Sequence, residues 1–121
     1  MMRAGLVQLT VGDDPVANLG VTLTQLRAAA AQGAGFVLTP ELTNGLSSSR
    51  AHQRAVFHAE GDDPTLAALR DEARALGIWL LIGSLGLLTT DEDGRFANRS
   101  FLIGPDGGIA ARYDKIHMFD V

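Results

Sequence analysis

The chain is 121 residues long, 46% hydrophobic, free of cysteine, and carries 10 basic against 14 acidic residues for a net charge of −4. No disulfide framework, thiolate metal site or thiol nucleophile can be built from these residues. Basic residues scattered singly through an acidic chain also argue against a nucleic-acid partner, whose affinity comes largely from clustered Lys and Arg. The length fits one small domain, or a piece of a larger one, with enough buried surface for a core.

The apolar stretch at residues 4–7 breaks at Gln8, too short for a signal-peptide core. The longest strongly apolar run, residues 78–82, falls far below the roughly 18 residues of a membrane span. A soluble cytoplasmic protein with no membrane partner is therefore expected. Leu6, Val7, Leu9 and Val11 predict a first strand. Asp13-Asp14-Pro15 predicts a helix start, with Asp as the cap and Pro at the first helical position. Val16, Leu19, Leu23, Leu26 and Ala30 recur at three- and four-residue intervals, which predicts one buried stripe. Gly33 and Gly35 close that helix, and residues 36–39 read as a compact buried strand.

The same grammar repeats. Asp62-Asp63-Pro64 opens a second helix carrying Leu66, Leu69, Ala73 and Leu76, and Gly77 closes it. Residues 78–82 then read as a fully buried strand bounded by Gly83. Striped helices between near-continuous apolar strands indicate βαβ units and a mostly parallel sheet. Residues 89–94 form a polar turn, residues 96–103 a strand, and Gly104-Pro105-Asp106-Gly107 a hairpin turn from which residues 109–113 return antiparallel. Trp79 and the Phe residues read as core. The apolar pattern at residues 116–121 has no closing signal, so one structural unit, cut short at its C-terminal side, is expected.

Two residues stand out chemically. Glu41 follows a buried strand at its carboxyl end, where sites form in open α/β sheets; a carboxylate there, set against apolar neighbours, can serve as a general base. Lys115 is the single lysine of a chain that otherwise uses Arg, and a compact ammonium suits an oxyanion in a closed site. From position alone each also reads as a solvated charge, Glu41 on a loop and Lys115 at a strand end. His52, His58 and His117 lack a local metal-ligand spacing. Ser47-Ser48-Ser49 lack a nucleophile-elbow pattern, and Gly33-Ala34-Gly35 precedes a strand instead of opening a helix, so it is no dinucleotide fingerprint.

Taken together and in order, four segments resemble the nitrilase, or carbon–nitrogen hydrolase, superfamily. They are Gln8 in Leu6-Val7-Gln8-Leu9 with Asn18 in the first helix; residues 33–41 ending in Pro40-Glu41; Gly83-Ser84 with Asn98-Arg99-Ser100 and Pro105-Asp106-Gly107; and Tyr113-Asp114-Lys115-Ile116-His117-Met118-Phe119-Asp120-Val121. The last is nearest the branch of omega-amidases and deaminated-glutathione amidases. The resemblance implies an α/β fold, the N-terminal half of a four-layer α-β-β-α sandwich, and hydrolysis of a non-peptide C–N bond in a small amide.

It further implies Glu41 as the general base, Lys115 as the oxyanion stabiliser, no cofactor, and a homo-oligomer when full length, formed through helix faces. The family's nucleophilic cysteine, and a second glutamate supporting the lysine, follow the lysine in the family and have no counterpart here. The expectations are an amidase whose thiol lies beyond Val121, inactivity of these residues alone, and self-association through an uncovered sheet face. The alternative is an inactive scaffold or assembly module on the same fold.

Overall fold

The computed structural model describes residues 3–7, 12–45, 50–89 and 96–115. Among the described residues five strands, β1 (Arg3–Leu6), β2 (Ala34–Leu38), β3 (Trp79–Leu88), β4 (Phe96–Ile103) and β5 (Ile109–Asp114), form one sheet in sequential order. The pairs β1–β2 and β2–β3 are parallel, and β3–β4 and β4–β5 are antiparallel. The sheet is therefore mixed, and the parallel expectation holds only for the first three strands.

Both Asp-Asp-Pro segments start helices as the sequence predicts. Helix α1 (Pro15–Ala31) bridges β1 and β2; the Asp14 carboxylate accepts the Val16 N–H at 3.0 Å and Pro15 takes the first turn. A short helix α2 (Arg50–Val56), which no periodicity announced, follows β2, and a single 3₁₀ turn at Glu60–Asp62 leads to α3 (Pro64–Leu76). The buried Asp63 carboxylate accepts the Leu66 N–H at 2.7 Å, and Gly77, at φ 64°, closes α3 in a left-handed cap that costs glycine little. Arg27 grips Glu72 with two hydrogen bonds, at 2.8 and 3.1 Å, and ties α1 to α3.

The register explains where the core sits. Gly5, Val37, Leu80 and Ile103 align in one row across the sheet, and all but Gly5 are fully buried with Leu26, Leu66, Leu69 and Ala73 of the helices. A Cβ on Gly5 would stand 3.1 Å from the Ala29 methyl group, so α1 lies directly on β1. Side chains alternate between faces along a strand, and the next row, Leu6, Leu38, Leu81 and Leu102, faces away from the helices. Leu6 is 63% exposed and the other three are only partly buried, so this second sheet face is apolar and open.

Several expectations are corrected. The first strand starts at Arg3 instead of Leu6, because Arg3, Ala4 and Gly5 pair with β2; residues 8–11, including Gln8, lie outside the described residues. Val16 is 80% exposed, whereas Asn18 and Thr22 join Leu26 as the buried positions of α1. Leu19, Leu23 and Ala30 of the predicted stripe do pack against the core with Leu26; only its Val16 end is replaced, by Asn18, whose polar contacts are described below. The second strand begins at Ala34. The third runs through Gly83 to Leu88, with a bulge between Ile82 and Leu85. Trp79, at 37% exposure, sits at a strand start outside the core. All but Thr89 of the predicted turn at residues 89–94, and the terminal pattern at 116–121, lie outside the described residues.

Candidate active site

Glu41 sits on a turn that hydrogen bonds fasten to the bulge of β3. Past the end of β2, the Thr39 N–H continues the ladder to the Leu81 carbonyl at 3.0 Å. The Thr39 hydroxyl oxygen accepts the Gly83 N–H at 3.2 Å, and the Thr43 hydroxyl donates to the Pro40 carbonyl at 2.5 Å. Leu42 adopts φ 51°, a left-handed conformation that costs a non-glycine residue about 1–2 kcal/mol. Its N–H is thereby turned onto the Ser84 hydroxyl at 2.8 Å, and the next N–H, of Thr43, reaches the Ser84 carbonyl at 2.9 Å. Gly83 permits this approach: a Cβ there would fall 2.2 Å from the Thr39 carbonyl oxygen.

Asn44 completes the attachment by imitating a strand. Its carboxamide accepts the Gly86 N–H at 2.9 Å and donates to the Gly86 carbonyl at 2.8 Å, with the side chain buried. Asn18 of α1 donates to the Asn44 carbonyl at 3.1 Å and clasps both backbone groups of Gly12. This is why polar residues occupy the buried face at the start of α1: the helix is docked there by the loop that presents Glu41.

Lys115 enters from the end of β5, three strands away from β2 in the sheet. It follows the last residue of β5, and its N–H donates to the Asn98 carbonyl at 3.0 Å. Its ammonium donates to the Glu41 carboxylate across a separation of 74 residues. The structure thus brings together the two residues singled out from the sequence. It does not enclose Glu41 among apolar side chains as expected: that side chain is 65% exposed and Lys115 33%.

Beside Lys115 lies an ion-pair cluster that sequence reasoning missed. Arg99 forks onto both oxygens of Asp114 and extends its third nitrogen to Glu60 at 3.0 Å, and Arg112 also grips Glu60, at 2.9 Å. The hydrogen bond from Arg112, aided by Arg99, holds the Glu60 carboxyl below its ordinary range against the opposing effect of burial. Arg99 does the same to Asp114 and is itself held above the usual guanidinium value, chiefly by Asp114. The available signal was Arg99 and Asp114 standing across the hairpin on opposite charges, which needs the register to be seen. The polar run Thr39, Thr43 and Asn44 around Glu41 was a second overlooked signal. His52 Nε2 lies 2.6 Å from the Asp13 carbonyl, and among the described residues no group of three His, Cys, Asp or Glu side chains is placed to hold a metal. Ser47-Ser48-Ser49 and His117 lie outside the described residues.

Comparison with known proteins shows the family. A carbon-nitrogen hydrolase family model matches residues 3–121, and the chain belongs to that family. It is 32% identical to the deaminated glutathione amidase of Yersinia enterocolitica, over 98% of this chain and 41% of that protein. It is 31% identical to an omega-amidase of Danio rerio, again over 98% of this chain and 41% of the relative. The crystal structure of an amidase from Nesterenkonia sp. superposes with a TM-score of 0.78 at 31% identity, covering 99% of this chain and 44% of that one. A variant of that amidase shows covalent addition of the acetamide moiety of fluoroacetamide at its active site cysteine. The chain spans about two fifths of the length of these relatives.

Proposed function

We propose that these residues are the N-terminal part of a carbon–nitrogen hydrolase domain and supply the base and the cation of an amidase acting on small linear amides. The thiol comes from outside the 121 residues. In this reading Glu41 removes the proton from the thiol, and the thiolate attacks the amide carbonyl carbon. Lys115 faces the oxygen that becomes negative. Its ammonium has three donors and spends one on Glu41, leaving two for the oxyanion. Glu41 returns the proton to the amine nitrogen, ammonia leaves, and a thioester remains. Water, deprotonated by the same carboxylate, then cleaves the thioester to a carboxylic acid and the free thiol. A thiol with a pKa near 8.5 is mostly protonated at neutral pH, so a base and a cation at one point favour its ionised form. The functional assembly in this reading is a cytoplasmic homo-oligomer.

The observation that carries this reading is the contact between Glu41 and Lys115, delivered from the loop after β2 and from the end of β5, three strands apart in the sheet. The relatives' amidase names and the cysteine adduct of one of them support the reaction class. The test is ammonia release from short dicarboxylic acid monoamides by the native assembly that contains this chain. Glu41→Gln and Lys115→Met should each cost at least about a hundredfold in kcat, the usual scale for losing a general base or an oxyanion donor. Wild-type turnover with either substitution refutes the assignment. The absence of cysteine favours a second reading, an inactive scaffold, which gains if no assembly containing the wild-type chain releases ammonia.

A further inference from the structure

We propose that Arg99 is a positioning residue for Lys115: by clamping Asp114 to β4 and to the turn before α3, it holds the end of β5 where the Lys115 ammonium meets Glu41. This rests on Glu41 and Lys115 being the reactive pair. Among the described residues β5 is an edge strand, paired only with β4, and Lys115 lies just past its last residue. Strand ends at a sheet edge open readily, and a lysine side chain carries about 2 kcal/mol of rotamer entropy of its own. A backbone left free to fray there would spread the ammonium over many positions.

The clamp has the geometry to prevent that. Arg99 and Asp114 are register partners across β4 and β5. The planar guanidinium uses Nε and Nη2 on the two Asp114 oxygens, a two-point grip that fixes orientation as well as distance. Its remaining Nη1 reaches Glu60 at 3.0 Å, and Arg112, two residues before Asp114, reaches the same carboxylate. Two strands and the 3₁₀ turn are thereby tied at one point. Arg99 and Glu60 are each 24% exposed, so the grip is more shielded than a freely solvated pair. Asp114 is the last residue of β5 and Lys115 the next residue of the chain: the Asp114 side chain is held in the clamp, and the Lys115 side chain reaches Glu41. Arg99 touches neither Glu41 nor the Lys115 ammonium among its hydrogen-bond partners, and acts through the backbone between them.

The test uses a property of the sequence. Lys115 is the single lysine of these 121 residues, so a link from Glu41 to a lysine within them is unambiguous. A carbodiimide activates a carboxylate, and an amine in contact with it displaces the activated group to give an amide with net loss of one water. Peptide mass spectrometry of the native assembly containing this chain then measures the Glu41–Lys115 link. Arg99→Met should lower the yield of that link severalfold at temperatures well below its melting transition. A role confined to overall stability would lower the melting temperature and leave the yield unchanged, and that result overturns the proposal. If Arg99→Met does not fold, Asp114→Asn, which keeps the shape and removes the charge, decides: a reduced yield supports the clamp and a wild-type yield overturns it. A wild-type chain that forms no Glu41–Lys115 link removes the pair and with it both this inference and the proposed function. Normal linking that is insensitive to the clamp removes this inference alone.

Discussion

Asn44→Ala offers the sharpest test of how the Glu41 turn is held. The Asn44 carboxamide is the partner of both the N–H and the carbonyl of Gly86, at 2.9 and 2.8 Å, in the interior. Removing it leaves one buried donor and one buried acceptor without partners, and each such group costs about 1–3 kcal/mol. The expected loss is therefore about 2–6 kcal/mol, a large share of the roughly 5–15 kcal/mol that a domain possesses. Urea unfolding followed by the fluorescence of the single tryptophan of these residues, Trp79, should show the midpoint falling by about 1–3 M at a slope of about 2 kcal/mol/M, the middle of the range for a small protein. Asn44→Asp should be no milder, because a carboxylate accepts the Gly86 N–H but repels its carbonyl. A loss below about 1 kcal/mol for Asn44→Ala would mean that the carboxamide does not fasten the turn, since even one orphaned group costs that much.

Three further outcomes follow from the same structure. Gly83→Ala places a methyl group 2.2 Å from a backbone oxygen and should cost about 1–3 kcal/mol or more, whereas Gly20→Ala, with open space around it inside α1, should stabilise by about 0.5–1 kcal/mol; thermal melts showing the same sign for both would contradict this packing. The Glu60 and Asp114 carboxyls are held below their ordinary values, so their contribution is present above the unfolded-state value near 4.5 for Glu and is lost as pH falls through the folded one. Asp63, raised mainly by burial, works in the opposite direction and favours the fold in acid. Glu60→Gln should flatten the acid limb of the urea-midpoint profile, and an unchanged limb would show that Glu60 is not its source. Finally, the open row of Leu6, Leu38, Leu81 and Leu102 should drive self-association of the isolated chain, and Leu6→Lys should weaken it; a monodisperse wild-type monomer by light scattering would count against an exposed apolar face.

What could be read from the sequence was what is decided locally. Asp14, Asp63 and Gly77 terminate helices through groups within a few residues, and the Gly104-Pro105-Asp106-Gly107 turn sets its own hairpin, so these features emerged where predicted. Val16 and Asn18 show the limit. Both lie near one helical stripe, and the choice between them was made by the Asn44 carbonyl, 26 residues away. Gly83 reads as a strand terminator in one dimension, but in the fold it gives room to the Thr39 carbonyl and the strand continues. Arg99 and Asp114 are unremarkable until the register sets them face to face. Glu41 and Lys115 were singled out by position and by resemblance to a family, and only the β-sheet order explains how residues so far apart in sequence can touch.

The most direct test of the account is the position of the covalent intermediate. The native assembly containing this chain would be purified, treated with a small reactive amide, and digested, and the acyl adduct would be located by peptide mass spectrometry. The account predicts an adduct on a cysteine outside residues 1–121, forming in the wild type and failing to form with Glu41→Gln. An adduct on any residue within this cysteine-free sequence, or one that forms equally well without the Glu41 carboxylate, would contradict it.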